Sequence, residues 1–390
     1  MLTVQEYGTV ELDLSNVELA GLLRHVRGTD GDERRLLESL TPTGRGQVHR
    51  LKAGSYVGRL ALPGGRILEF TSRFDLEELL WLLCLSGRLP VQPNDLLVEV
   101  GESAQPVELI ARAFVREVRR LVGQGLAKGY QERRFLHPPY PGRLDPNHHL
   151  ARLAGRPDRL VTVAKRLSVD VPVNQAVGCA LDVLRRAEVL DASWDGPLER
   201  LAASFRYVSR PPMDAGELAR IPLSRLTLRY RPALALASLI LDLHAVGPEA
   251  GVKPGSSLLF HMPSIWEDFV EAWVRHQTTD DDTQVQAQHT FPVTHDGDIK
   301  GRADVVQRRN GRLVGLFDAK YKLLHRSPRA GDVSQMIAYM ECLGLDHATL
   351  VYPGAAAPRT IGVGRRRITS IGVDPTPAGV EATRLPLVPS

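Results

Sequence analysis

The chain has 390 residues, 43% of them apolar and 24% charged, with a formal net charge of +4. That length suits two or three domains of the usual ~100–200 residues, and the balance excludes a disordered chain. So small a charge carries no bulk electrostatic argument for nucleic acid. The longest apolar runs, Leu79–Leu85 and Ala233–Leu241, fall far short of the ~20 residues that span a bilayer.

The start, Met1–Gly8, lacks the basic-then-apolar layout of a secretory signal, so a cytoplasmic protein without membrane contact is expected. Cys84, Cys179 and Cys342 stand far apart with no CxxC pair, which excludes a cysteine-clustered zinc or iron–sulfur site. Their apolar surroundings predict reduced thiols in the core. The basic residues are 42 arginines and seven lysines, and three of those lysines, Lys300, Lys320 and Lys322, fall within 23 residues.

In chain order, Ser15–His25 has helical spacing with Ser15 as N-cap. Tyr56–Leu62 and Arg66–Ser72 alternate around Pro63-Gly64-Gly65, a β-hairpin pattern. Phe74–Leu85 reads as a buried helix. The region 105–250 reads as mainly helical, with helices over Val107–Val122, Asn174–Ala187 and Leu234–Ala245 and a rigid break at Pro138–Gly142. His148-His149 reads as part of a solvated polar loop. Gly247–Ser257, rich in Gly, Pro and Ser, marks a domain boundary. Beyond it come a helix over Ser264–Gln277, strands over Gly301–Gln307 and Leu313–Tyr321, a helix over Asp332–Leu343 and a buried strand over Ala348–Tyr352.

Chemistry concentrates in that last part. Asp304 is followed fourteen residues on by Asp318-Ala319-Lys320, at the end of the apolar run Leu313–Phe317. Strand alternation sends Asp318 and Lys320 to one face. A buried carboxylate and ammonium are costly unless something compensates, and a divalent metal is a good candidate. Register decides whether Asp304 joins them. A two-residue Asn310-Gly311 turn sets Asp304 opposite Phe317 and sends the two aspartates to opposite faces. A three-residue loop, Arg309–Gly311, gathers Asp304, Leu316, Asp318 and Lys320 on one face, so shared chemistry requires that loop or a bulge.

The reaction such a site suits is phosphodiester hydrolysis. Two carboxylates can fix Mg²⁺ and leave room for water and a phosphate oxygen, while Lys320 orients the nucleophile or stabilises charge on phosphorus. Gln335 and Tyr339, four apart on one helix, can hold a phosphate or a neighbouring side chain. Glu267 has two readings: a metal ligand, or the closing Glu of a Ser264-x-x-Glu267 capping box, with Glu271 as the substitute ligand in the second case. Asp296 and Asp298 read as a tight turn from which either aspartate can reach the metal. There is no P-loop, HExxH or GxSxG motif.

Together these residues resemble the PD-(D/E)xK nuclease superfamily, with Ala303-Asp304 in place of Pro-Asp and Asp318-Ala319-Lys320 as the second motif. The QxxxY helix resembles the RecB-type branch. Over most of its length the sequence is similar to the McrC family, through Glu6-Tyr7-Gly8, Tyr56-Val57-Gly58, Ile67–Phe70, Gly142–Asp145, Asp170–Asn174, Trp266–Val270, Phe317–Lys322 and Leu350–Pro353.

The resemblance implies a multidomain α/β chain. A mixed α/β domain over 1–104 is followed by a mainly helical domain over 105–250 and a restriction-endonuclease-like α/β domain over 251–390. It implies a Mg²⁺-dependent DNA endonuclease with Asp304, Asp318, Lys320, Gln335 and Tyr339 as catalytic residues. The implied metal set is Asp304, Asp318, Ala319 and Glu267. The implied partners are double-stranded DNA and a ring-forming AAA+ GTPase of McrB type, whose pore the N-terminal part enters and whose hydrolysis it stimulates. An autonomous RecB-like repair nuclease and a non-catalytic adaptor of an AAA+ motor are the alternatives.

Overall fold

The computed structural model describes residues 2–26, 36–44, 46–89, 106–153, 156, 158–245, 257–294, 296–322 and 327–385. Contacts divide the chain into two units, residues 1–110 together with 246–390, and residues 111–245. The Gly247–Ser257 boundary lies, apart from Ser257, outside the described residues.

In the first unit, β1 (Leu2–Gln5) and β2 (Thr9–Asp13) flank a turn at Glu6-Tyr7-Gly8. Helix α1 (Asn16–Val26) begins where Ser15 predicts. The Ser15 backbone N–H and hydroxyl both donate to Glu18 Oε2, at 2.9 and 2.7 Å, which closes a capping box. Strands β3 (Leu37–Pro42) and β4 (Val48–Ala53) join β2 in a sheet of order β2-β4-β3. The alternating run then folds as the expected hairpin, β5 (Tyr56–Ala61) against β6 (Ile67–Thr71). Helix α2 (Leu76–Leu85) follows, capped by reciprocal Asp75–Glu78 bonds and burying Leu79, Leu80, Leu82 and Leu83.

The second unit takes up from within α3 (Pro106–Gly123). It is not only helical. Strands β7 (Gly129–Phe135), β8 (Arg143–Leu144) and β9 (Thr162–Ser168) form a sheet of order β7-β9-β8. These strands escape a pattern reading because both faces carry charge, and Tyr130, Leu144 and Leu167 are exposed. His148 and His149 lie on helix α4 (Pro146–Leu153), not in a loop. Asp145 caps it, accepting from the His148 backbone N–H (3.2 Å), and the His149 ring is partly buried. Helices α5 (Pro172–Arg186), α6 (Asp195–Ser204), α7 (Ala215–Ala219) and α8 (Arg231–Ala245) complete the unit. Asn174, fully buried at the head of α5, has a complete set of partners. Its amide donates to the Ala127 and Val169 carbonyls, and its Oδ1 accepts the Tyr230 hydroxyl at 2.6 Å.

The chain re-enters the first unit through β10 (Ser257–His261), which pairs antiparallel with β5 and gives a sheet of order β1-β6-β5-β10. The stretches 1–104 and 251–390 therefore share a sheet, and Leu259 packs into the same core as Leu12, Leu51, Leu68 and Phe70. Gly58 permits this pairing. It holds φ +131°, and a Cβ there would lie 2.2 Å from the Leu258 carbonyl oxygen. Gly58→Ala is expected to destabilise this unit by about 2–4 kcal/mol, read as a lower melting temperature.

Helix α9 (Met262–Gln277) buries Ile265, Trp266, Phe269, Val270 and Trp273. A six-stranded sheet follows, of order β11-β12-β13-β14-β16-β15, from β11 (Thr283–Pro292), β12 (Lys300–Arg309), β13 (Arg312–Ala319), β14 (His347–Pro353), β15 (Arg359–Val363) and β16 (Arg366–Val373). Strands β11 to β13 are antiparallel; β13, β14 and β16 are parallel. Helix α10 (Ala330–Leu343) makes the crossover from β13 to β14 and ends at Gly344, which takes the left-handed conformation a helix stop favours. Its Met336 and Met340 pack on Val306, Leu316 and Leu350. Cys84 and Cys179 are half-buried, while Cys342 is exposed rather than in the core, because it falls on the outer side of α10. Among the described residues no helix is long and apolar enough to cross a membrane.

Candidate active site

The β12–β13 turn is the strict two-residue form. Asn310 and Gly311 both hold positive φ, +50° and +79°, and Arg309 pairs with Arg312. Alone, that turn would send Asp304 and Asp318 to opposite faces. A β-bulge prevents it: Arg308 pairs with Leu313, but Gln307 pairs with Gly315, leaving Val314 as the extra residue. Beyond the bulge Val305 pairs with Phe317, and that register continued by one residue sets Asp304 level with Asp318. The expected three-residue loop is absent. The parity it was to supply comes from Val314.

The two carboxylates are fixed from different directions. Asp304 Oδ2 accepts the Ala319 backbone N–H at 2.8 Å. Asp318 is 2% exposed. Its Oδ2 lies 2.6 Å from Lys320 Nζ, close enough for an ion pair but outside hydrogen-bond geometry, so that buried oxygen lacks a directed bond. Lys320 Nζ also donates to Gln335 Oε1 (2.9 Å), and Gln335 Nε2 donates to the Tyr339 hydroxyl (3.2 Å). The QxxxY pair thus meets the DxK lysine. Strand β13 is anchored here by β14, where the Val351 carbonyl accepts both the Lys320 N–H (2.9 Å) and Trp266 Nε1–H (3.2 Å).

Burial, and then the Glu267 charge, raise the Asp304 pKa to about 6. Burial, and then the Asp304 charge, raise that of Asp318 to about 7. For Lys320 burial alone would lower the pKa, but Asp318, with Asp304 and Asp332, outweighs it and raises it, so the ammonium stays charged at neutral pH. Among the described residues no three His, Cys, Asp or Glu side chains converge as a metal-ligand group. The donor chemistry nevertheless fits a hard divalent cation: a half-buried Asp304 carboxylate stands beside a buried Asp318 whose pKa it raises, and Asp318 Oδ2 meets the Lys320 ammonium without a directed bond.

Glu267 is not a helix cap. Helix α9 starts at Met262 with His261 as N-cap, so Glu267 falls in the second turn, while Ser264 bonds the His261 ring instead. Pro263, tolerated in a first turn, moves the helix start ahead of the capping-box frame. Glu267 Oε2 accepts from Gln288 (3.2 Å), and its pKa is raised by burial against the pull of Arg302. Glu271 pairs with Arg275 one turn on. Asp296 closes the turn before β12, accepting from Thr294 and the Asp298 N–H.

Sequence reasoning missed Asp332, Lys322, Tyr352 and Gln288. Asp332 accepts from Lys322 Nζ (2.6 Å) and the Tyr352 hydroxyl (3.3 Å). Its signal was available: Asp332, Gln335 and Tyr339 share one face of α10 at i, i+3 and i+7. Gln288 gave none. It sits beside Asp304 on β11 with φ +51°, a strained conformation that only the fold reveals.

This architecture is shared with a solved structure, the half-complex from a tetradecameric assembly of Thermococcus gammatolerans McrB AAA+ hexamers with bound McrC. The match is 16% identical with a TM-score of 0.61, covering 96% of this chain and 94% of that one. A second, the cryo-EM structure of the Thermococcus gammatolerans McrBC complex, is 16% identical with a TM-score of 0.46 over 72% of this chain and 88% of that one. No curated protein matches. At 16% identity the first of these matches is a likeness of fold. Residues 51–353 match the family described as McrBC 5-methylcytosine restriction system component, and the chain belongs to that family.

Proposed function

We propose that the chain is the nuclease subunit of a McrBC-type restriction system, cutting DNA with Mg²⁺ in a C-terminal PD-(D/E)xK domain when driven by an AAA+ GTPase ring. The observation that carries this is the Val314 bulge, which brings Asp304 and Asp318 level beside a charged Lys320. A structural role would not need that convergence, because burial raises both carboxylates, the Glu267 charge adds to it at Asp304 and the Asp304 charge adds to it at Asp318, all of which works against folding. The partner follows from the family and from the McrB hexamers that accompany the bound McrC in the matching fold.

Asp304, Asp318 and the Ala319 backbone would hold the metal, with Glu267 behind Asp304. Bound Mg²⁺ supplies a water of lowered pKa and stabilisation for charge on the phosphate. The rest is the work of the chain's own side chains. The Ala319 N–H fixes one oxygen of Asp304 and leaves the other free to bind. Lys320, protonated, sets a positive charge against the scissile phosphate and stabilises what develops there. Gln335, itself held by Tyr339, keeps that ammonium from collapsing wholly onto Asp318.

The test is cleavage of DNA with and without 5-methylcytosine, with and without the AAA+ partner and its nucleotide, in Mg²⁺. Cutting is expected only with partner, nucleotide and modified DNA together. Cutting by the chain alone would instead make it an autonomous nuclease. Stimulated nucleotide hydrolysis with no cutting would make it an adaptor.

A further inference from the structure

Lys320 faces the carboxylates, and the next residue, Tyr321, leaves the chain on the opposite side. It is held there at three points by the N-terminal part of the same unit. The Tyr321 hydroxyl donates to Glu6 Oε1 at 2.8 Å. The Arg73 guanidinium lies 3.9 Å from the Tyr321 ring centroid. The Tyr7 hydroxyl donates to the Tyr321 carbonyl at 3.3 Å. Glu6 Oε1 also accepts the Arg73 backbone N–H at 2.9 Å, so the β1–β2 turn and the β6–α2 turn grip one ring together.

This grip is not fully explained as a stabilising contact. Tyr7 holds φ +58°, a left-handed conformation that costs a residue with a side chain about 1–2 kcal/mol. Gly8 has no room for a Cβ, which would sit 2.7 Å from the Gln5 carbonyl oxygen. Arg73 Nε lies 3.6 Å from Glu6 Oε1, an ion pair without a directed bond, and Glu6 Oε2 and Arg73 Nη2 are buried with no hydrogen-bond partner. A network kept for stability alone would satisfy those atoms or replace them with apolar ones. What the strained turn does secure is the position of the backbone one residue from the ammonium.

We infer that Glu6, Tyr7 and Arg73 are positioning residues for Lys320, acting through Tyr321, so that the N-terminal turn sets where the ammonium stands. The inference deepens the nuclease reading and rests on it for its catalytic consequence. The placement of the ammonium can be read separately. A shift of the β1–β2 turn is transmitted to the end of β13 over a single peptide unit, with Asp318 and Asp304 held by their own strand pairing.

The experiment uses the full chain with Tyr321→Phe, which keeps the ring, and Glu6→Gln, which keeps the shape. Misplacing a reacting group by about an ångström costs on the order of 100-fold in rate. Both variants are expected to lower kcat for DNA cleavage by about 10–100-fold at a temperature where each remains fully folded, with KM for DNA and stimulation of partner hydrolysis unchanged. In a Lys320→Ala background, Tyr321→Phe should cost nothing more, because the group it positions is gone. The second readout needs no activity. With seven lysines in the chain, the side-chain NMR signal of Lys320 in lysine-labelled protein is assignable by its loss in Lys320→Ala, and Tyr321→Phe should move it. An unmoved signal, a rate loss that persists without Lys320, or a loss that follows the melting temperature overturns the inference. A moved signal in a chain that never cuts DNA removes the nuclease reading and upholds the positional link.

Discussion

Asp318→Ala and Asp304→Ala are each expected to bring DNA cleavage to background while the fold and the stimulation of the partner persist. The isosteric Asp304→Asn should do the same and, in metal-free protein, also raise the melting temperature. The sign follows from the folded-state values of about 6 for Asp304 and about 7 for Asp318. An unfolded carboxylate titrates near pH 4. Between pH 4 and 7 the folded chain therefore binds more protons than the unfolded one, and its stability falls as pH rises. Asp304 accounts for on the order of 3 kcal/mol of that loss. Asparagine keeps an oxygen for the Ala319 N–H and carries no charge, so Asp304→Asn should melt about 5–10 °C higher at pH 7.5, with the difference vanishing near pH 4. Mg²⁺ should raise the wild-type melting temperature and leave the variant's unchanged. A variant that melts lower than wild type at pH 7.5 without metal, or that still cuts DNA, would remove these carboxylates from the site.

Why the register depended on one residue also explains what a sequence can disclose. Asn310-Gly311 was legible as a turn because Asn and Gly tolerate positive φ. The bulge was not, since Val314 sits in a run of apolar residues that reads equally well in either register. What did point to it was chemical. Asp304 and Asp318 make a common site only if parity is restored somewhere between them, and a loop and a bulge restore it equally.

Elements whose apolar residues face one core were readable. The β5–β6 hairpin, α1, α9 and α10 all follow their periodicity. Strands β7, β9 and β11 were not, because their faces are largely polar; β11 opens Thr-Gln-Val-Gln-Ala-Gln with at most half-buried positions and buries Phe291 near its end. The pairing of β5 with β10 joins residues about two hundred positions apart in the chain, and no local pattern announces it. The site divides in the same way. Asp318, Lys320, Gln335 and Tyr339 followed from spacing. For Glu267 spacing left a cap and a ligand equally open, and only the helix start at Met262 removed the cap.

Lys320→Ala is expected to separate binding from chemistry. The ammonium touches Asp318 and Gln335, and no part of it is needed to fold β13, whose end is held by Val351 and Ala319 backbone bonds. Cleavage should fall by about 10²–10³-fold, the usual consequence of removing one group aimed at developing charge. Metal binding should survive but move in pH. Without Lys320, Asp318 loses the attraction that offsets its burial and the Asp304 charge, so its pKa rises further. A proton then competes with Mg²⁺ to a higher pH, and half-saturation by metal at a fixed concentration should shift upward in pH. Lys320→Arg should restore the charge and that metal profile but little of the rate, because a planar guanidinium cannot occupy the point between Asp318 and Gln335. A general-base role predicts something else. The carboxylates hold Lys320 protonated at neutral pH, so a basic role would make the wild-type rate climb with pH into the lysine range and leave Lys320→Ala flat there. A metal titration and a pH–rate profile on the same three proteins therefore decide what the lysine does.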